Sequence, residues 1–446
     1  MADLAHGMQG PFHVLHPQQF ERNLTGFQQV LVDAGVTGQV YYGKKANKSS
    51  CWLQVCADSG VGVDVASVAE LTHSLGCGIR GSDIVVTGAA KSDELLWLAA
   101  RHGCLLAVDA PDELARVVAL ARHDPRDHLG ATSRSTRDAA SLRPRILLRV
   151  LPRINPDSRF GFTESELDHA LGVCVREQLD MRGFSFHLNG YQPGPRAEMA
   201  AQLIGRCVEA RRLGLAADNV DIGGGFACSY VGEDDWARFN DEYSDDWFHA
   251  RRKFGHFYPY HQSPTGAQML KEILADQRDS GVTLSDLLKQ TDTRLLLEPG
   301  RALLDRAGLT VFPVQGYKDR DDYGIVTVDG LSASISEQWK GSEYLPDPTL
   351  WPTSETAGPP VRACVGGASC MDYDMLTWRK VGFPRRPAYG DLLVYPNTAG
   401  YQMDKNETEF HQLPLPRRVV VTRESDRFTW RLDDGRWVHR TRGHRS

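Results

Sequence analysis

Residues 83–122, DIVVTGAAKSDELLWLAARHGCLLAVDAPDELARVVALAR, contain two short apolar runs, DIVVTG (83–88) and LLAVDA (105–110). Each is followed by a stretch, KSDELLWLAARHG or PDELARVVALARH, in which apolar residues recur at three- and four-residue intervals. A β-branched run short enough to be one buried strand, followed by a one-faced helix, is a βα unit. The same unit recurs around QVYYG (39–43), ILLRV (146–150), FSFHL (184–188), NVDIGGG (219–225) and RLLLEPG (294–300). The intervening stretches SVAELTHSL, SELDHALGVCVREQL and AEMAAQLIGRCVEARRLG carry the helical period. Seven or eight units between residues 16 and 308 predict an α/β fold, a (β/α)8 TIM-like barrel. A doubly wound open sheet is the architectural alternative.

Beyond Gly308 the texture changes to short alternating runs broken by Gly and Pro: LTVFPVQGYK, GIVTVDG, PPVRACVGG, GDLLVYP, RRVVVTRES and FTWRLDDGRWV. These predict a second, β-rich C-terminal domain over 309–446, joined by residues 1–15. Residues 122–145 are polar with little periodicity and read as a mobile surface loop. Residues 233–262 mix aromatics with charge and read as an ordered insertion, either a lid or partner surface at the active-site end of the barrel or part of the scaffold packing.

With 41% hydrophobic residues among 446, the chain has enough apolar material for a large core, which excludes wholesale disorder. Its formal net charge of -6, from 57 acidic against 51 basic residues, gives no global field that would draw it to nucleic acid or an anionic membrane. No apolar run reaches the roughly 18 residues that span a bilayer, and the first residues lack the basic-then-apolar order of a secretory signal. A cytoplasmic location is the expectation. Nine cysteines without a CxxC pair suit neither a disulfide framework nor a zinc site, so no metal is expected.

Three fragments carry chemistry. QVYYGKKANKS ends in Lys44 and Lys45, at the strand end where barrels deliver catalytic groups. A lysine held there and partly desolvated has a lowered pKa and forms a Schiff base with an aldehyde; alone, the fragment is equally a solvated lysine. Gly223, Gly224 and Gly225 follow a strand directly, where backbone amides can wrap a phosphate or simply turn the chain. RLLLEPGRALLD presents Glu298 and Arg301 at the same barrel face, or as an ion pair about a Pro-Gly turn.

The joint order YYGKKAN, GVDVASVAEL, SRFG, FSFHLNG, VDIGGGF, EPGR, CxxxD and AGY strongly resembles the fold-type III pyridoxal-phosphate decarboxylases, which include diaminopimelate, ornithine and arginine decarboxylases. The resemblance covers roughly residues 16–412. It implies that Lys45, at the lysine of the family's YAVKAN, carries pyridoxal 5'-phosphate, with Lys44 in place of the usual Val. It also implies that Asp64, Glu70 and Arg149 line the cofactor, that His187 stacks on its ring, and that Gly223, Gly224, Gly225 and Arg301 bind its phosphate. Glu298 matches the acid that keeps the pyridine nitrogen protonated, so the ring accepts electrons and decarboxylation is preferred over racemisation. Cys370 and Asp374 match the family's GPxCxxxD, whose cysteine is delivered across a dimer interface to return a proton after carbon dioxide leaves. Tyr401 matches the tyrosine of GAY, a further cofactor contact. A homodimer with shared active sites follows from the same resemblance.

Three departures bear on the substrate. Diamine-type members carry an acid after the cysteine, but here it is Met371, leaving Asp372 or Asp374 to receive a distal ammonium, or an apolar or modified side chain to be bound instead. HxGSQ reads HLNGYQ, placing Tyr191 near the serine that helps bind phosphate, with Asn189 as the other substitute. Arg196 is a candidate for a substrate carboxylate. The expected activity is decarboxylation of a free or carrier-attached amino acid in a specialised pathway such as siderophore or antibiotic assembly. The rivals are a racemase or epimerase, a plain diaminopimelate, lysine or ornithine decarboxylase, and a non-catalytic regulatory homologue.

Overall fold

The computed structural model describes residues 2–122, 142–277, 281–335, 341–352 and 358–433. Most of the segment read as a surface loop, 122–145, lies outside the described residues. A short helix over Ala2–Met8 precedes the first strand, β1 (Phe12–Leu15), and a helix over Pro17–Asp33 follows that buries Phe20, Leu24, Phe27 and Leu31 along one face. Burying each of these contributes about 1.5–3 kcal/mol.

Eight parallel strands follow: β2 (Gly38–Gly43), β3 (Gly62–Val65), β4 (Ile84–Val86), β5 (Leu105–Val108), β6 (Arg145–Arg149), β7 (Asp180–Ser185), β8 (Asn219–Asp221) and β9 (Arg294–Leu297). They form a closed barrel, with β9 returning to β2 in the register Val40↔Leu297. Closure excludes the open doubly wound sheet. β3 is the strand that apolar runs alone do not disclose, because it is four residues long and carries Gly62 and Asp64.

Side chains alternate across a strand, so each barrel strand sends every second residue inward and the others toward the helices. Tyr41, Val85, Leu105, Leu147 and Leu296 meet in a buried inner plug. Gly62 is obligatory beside it: a Cβ there would lie 2.3 Å from Tyr41 Cδ1. The outward-facing Val40, Tyr42, Val63, Ile84, Val86 and Leu106 join the larger core beneath the helices.

The second unit is a nine-stranded sheet that includes β10 (Gly308–Asp319), β11 (Gly324–Val328), β12 (Thr349–Trp351), β13 (Val361–Gly366), β14 (Met375–Phe383), β15 (Leu392–Tyr395), β16 (Arg417–Glu424) and β17 (Arg427–Leu432). β1 completes it, antiparallel to β10 and parallel to β16. Buried His13 of β1 bonds Thr310 Oγ1 of β10 through Nδ1 at 2.9 Å.

The insertion packs as scaffold. Its helix, Glu233–Asp241, leads into aromatic residues of which Phe248 and Phe257 cluster with Cys364, Met375 and Trp378 of the second unit. Phe248 also bridges to Arg379. The insertion therefore ties the barrel to the second sheet, while Tyr258 and Pro259 at its end reach a cavity at the barrel mouth. Among the described residues, no helix is long and apolar enough to cross a membrane, and no three His, Cys, Asp or Glu side chains are grouped to hold a metal ion.

Candidate active site

The inner alternation that builds the plug also builds the site. Past Tyr41, Leu147 and Leu296, at or just beyond the ends of the same strands, come Lys45, in the tight helical turn Lys44–Ala46, Arg149 and Glu298. Asp64, His187 and Asp221 reach the same end from β3, β7 and β8. A cavity of about 620 Å³ opens there, lined by Lys45, His187, Tyr191, Gly224, Gly225, Tyr258, Glu298, Arg301, Tyr401 and Lys405 among others. That volume suits a cofactor with a small substrate.

Lys45 Nζ lies 2.9 Å from Asp64 Oδ2, and its side chain, 46% exposed, faces the cavity. Burial of this amine among protein atoms opposes its charge, yet the Asp64 and Glu298 carboxylates outweigh that and raise its pKa above the usual lysine value. The lowered pKa expected for Lys45 is thus corrected: the neighbouring carboxylates outweigh desolvation.

Asp221, which sequence reasoning missed, sits two residues before the glycine triplet and is fully buried. Its Oδ1 accepts the Gly223 N–H at 2.8 Å, and its carboxyl hydrogen-bonds that of Glu298. Burial raises its pKa to about 6. Glu298 is raised well above the carboxylate range, first by burial and then by the charges of Asp221 and Asp64. Burial and mutual repulsion thus push the Asp221 and Glu298 carboxyls together toward the protonated form, Glu298 the more strongly. The signal available in the sequence was an acid at the end of a strand directly before the glycines.

His187 is held neutral, its pKa lowered to about 3 by burial and by the charges of Lys45, Arg149 and Arg196. Its Nδ1 accepts the Gly224 N–H at 3.3 Å. Gly223 and Gly225 have φ of +65° and +80°, and a Cβ on Gly224 would lie 2.7 Å from the Glu298 carbonyl oxygen. The loop thus needs glycine both for its backbone angles and for its close approach. Arg149 contacts Asp109 at 3.4 Å and lies over the Phe160 ring at 4.2 Å.

Arg301 is enclosed by tyrosines. It donates to Tyr230 Oη at 2.8 Å and lies over the Tyr258 and Tyr401 rings at 4.3 and 4.7 Å. Tyr191 and Tyr258 share a hydrogen bond between their hydroxyls. Burial pushes both phenol pKa values up, so the pair remains a source of O–H donors. Tyr230 and Tyr258 were not foreseen, because they come from residues outside every motif.

Other assignments are corrected. Glu70 does not line the cavity: its carboxylate accepts the Ala66 N–H at 2.8 Å across the first turn of a helix whose cap is Ser67. Arg196 is buried and donates to Leu188 O at 2.9 Å and Gly224 O at 3.5 Å, so it braces the glycine loop and is not placed to meet a substrate. Asp374 is buried in the same bracing sense. It accepts the Ser332 and Ser369 N–H groups at 2.8 and 3.1 Å and so shapes the loop carrying Cys370. Cys370 and Asp372 are exposed and Met371 half-buried at the tip of that loop, and none of the three lines its own chain's cavity.

The pyridoxal-binding domain of the pyridoxal-dependent decarboxylases matches residues 18–305, well over half of the chain. The chain belongs to this family. Among its relatives, an uncharacterized protein, y4yA, of Sinorhizobium fredii is 34% identical over 93% of this chain and 88% of its own length. Diaminopimelate decarboxylase of Bacillus methanolicus is 24% identical over 94% and 89%. The fold is shared with diaminopimelate decarboxylase of Helicobacter pylori complexed with L-lysine, at a TM-score of 0.74 and 18% identity, covering 97% of this chain and 95% of the other. Family members are carboxy-lyases that use pyridoxal phosphate. The residues of this decarboxylase-family chain fit that group: a glycine cradle with no room for Cβ atoms, an arginine beside phenolic donors, and a lysine reaching the same cavity.

Proposed function

We propose that the protein is a pyridoxal-phosphate-dependent decarboxylase of a free or carrier-attached amino acid that acts as a homodimer with shared sites. The observation that carries this reading is the convergence of Lys45, Glu298, His187, the glycine loop and Arg301 on one cavity. Pyridoxal phosphate supplies an aldehyde for an amine and a ring that draws electrons from a bond at Cα. Lys45 would hold the aldehyde, and His187 would offer its neutral ring face. Asp64, Asp221 and Glu298 would sit as the acids toward the ring nitrogen. Gly223, Gly224, Gly225, Arg301 and the Tyr191–Tyr258 hydroxyls would hold the phosphate.

Burial, which raises the Glu298 and Asp221 carboxyls, would favour a proton held between this pair and a ring nitrogen. Tyr401 closes one side of the cavity, its N–H bonded to Ala46 O at 2.8 Å beside Lys45. The rigid strand ends fix these groups before a substrate arrives, which is the protein's contribution to orienting the bond to be broken. Cys370 of a second copy supplies the proton that replaces carbon dioxide.

Side-chain selectivity would fall to the Cys370 loop. Asp374 is committed to Ser332 and Ser369, which leaves Met371 and Asp372 as the groups that meet a substrate's distal end. This favours an apolar, amide-bearing or modified side chain over a plain diamino acid, and a specialised biosynthetic role over a primary one. The test is a panel of amino acids, free and thioester-bound, assayed for carbon dioxide and amine with the cofactor-loaded protein. Carbon dioxide release from one class supports the reading. Loss of optical rotation without carbon dioxide would replace it with a racemase or epimerase.

A further inference from the structure

Cys370 is exposed, whereas the other eight cysteines are buried. Its Sγ lies 3.1 Å from Nε2 of His411, forty-one positions along the chain. The Cys370 backbone N–H points at the same nitrogen, at 3.4 Å. Two donors aimed at one nitrogen make it the acceptor, so Nε2 carries no proton and the thiol donates.

Both partners are held in place from their own side. Asp374 ties down the Cys370 loop through the Ser332 and Ser369 N–H groups. His411 has φ of +60°, and so does Gln412. Left-handed backbone at a residue other than glycine is unfavourable and persists where surrounding structure imposes it. The Phe410 ring lies 4.2 Å from the imidazole, centroid to centroid, and covers one face. A braced loop and a strained turn thus meet at a single sulfur–nitrogen contact, with both side chains exposed in the single chain.

We propose that His411 is a positioning residue that acts through Cys370, aiming the thiol and replenishing its proton. This rests on the decarboxylase reading for its purpose but not for its chemistry. As the S–H bond breaks, a C–H bond forms at the carbon that has lost carbon dioxide. His411, protonated at Nε2 by water, then returns a proton to the sulfur. The sum is one solvent proton incorporated for each carbon dioxide released.

The test compares wild type, Cys370→Ala, His411→Asn and His411→Gly, all loaded with cofactor. Asn and Gly both accept the left-handed backbone, so the imidazole is removed without rebuilding the turn. Iodoacetamide labelling of the intact protein at neutral pH, read by mass spectrometry, reports on Cys370 because the other thiols are buried. Labelling should slow by about tenfold in both His411 variants and vanish at this position in Cys370→Ala. With a substrate, wild type should form amine and carbon dioxide in equal amounts, and the His411 variants should form less amine per carbon dioxide. Unchanged labelling in both His411 variants overturns the proposal, and so does slower labelling with an unchanged amine-to-carbon-dioxide ratio. Failure of wild type to release carbon dioxide from any amino acid counts against the decarboxylase reading instead, and the labelling comparison still decides the pair.

Discussion

The barrel mouth and the Cys370 loop solve the same problem, holding reactive groups still, in different ways. At the mouth, Lys45, Asp64, Asp221 and Glu298 grow from ends of adjoining strands, and their positions are inherited from the inner plug beneath them. On the loop, a single carboxylate, Asp374, gathers backbone N–H groups, and the reactive thiol stands outside the cavity of its own chain. Strand ends give precision at the cost of burying charge, as the raised pKa of Glu298 records. A braced loop leaves its group exposed and free to meet a second copy.

The largest expected effect breaks the mouth. Lys45→Ala should lower turnover on the order of 10⁴-fold and remove the visible absorbance of the bound cofactor, whereas Cys370→Ala should cost about 100-fold with that absorbance kept. Mixing the two inactive proteins then sharpens the comparison. If two chains share each site, random pairing should restore about a quarter of the wild-type activity, read as carbon dioxide release. No recovery after subunit exchange would mean that the loop serves its own chain.

A smaller effect is expected at the loop's brace. Asp374→Ala removes the carboxylate that accepts one buried and one half-buried N–H and should cost about 1–3 kcal/mol in urea unfolding. At the mouth, Tyr258→Phe removes one phenolic donor beside Arg301. It should weaken binding of pyridoxal phosphate by about tenfold while leaving unphosphorylated pyridoxal nearly unaffected, measured by titration of absorbance. Equal loss for both ligands would place Tyr258 in the scaffold alone.

The last comparison separates fold from chemistry. Buried His13, beside Thr310 in the second sheet, has its pKa lowered to about 3 by burial and by the charges of Arg418 and Lys48. The unfolded chain takes up this proton near pH 6.5 and the folded chain does not. Stability is therefore full above that value and falls as pH drops toward 3, by up to about 1.4 kcal/mol per pH unit. His13→Gln should flatten this dependence between pH 6.5 and 4 in urea titrations, with no change in cofactor binding.

Much of the site was legible because strand ends can be read locally. Lys45, Glu298, Arg301 and the glycine triplet each follow an apolar run whose end marks the barrel face. Glu70 was misread because an acid in the first turn of a helix looks the same whether it faces a ligand or caps its own backbone. Arg196 was misread because burial of a guanidinium depends on carbonyls from two other loops. Asp374 was misread because a spacing cannot say which way a carboxylate turns.

By itself, the order of residues determined an alternation of seven or eight strand–helix units, the strand ends that carry the lysine, the glycines and the acid–arginine pair, and the passage to a second, β-rich unit. These follow from local periodicity and steric freedom, which neighbouring residues settle among themselves. Only the tertiary structure decided that Asp221 would share a proton with Glu298, that Tyr258 of the insertion would reach Tyr191, and that His411 would face Cys370. Those pairings join residues far apart in the chain, and they form only when closure of the barrel and its docking on the sheet bring separate surfaces within hydrogen-bond reach.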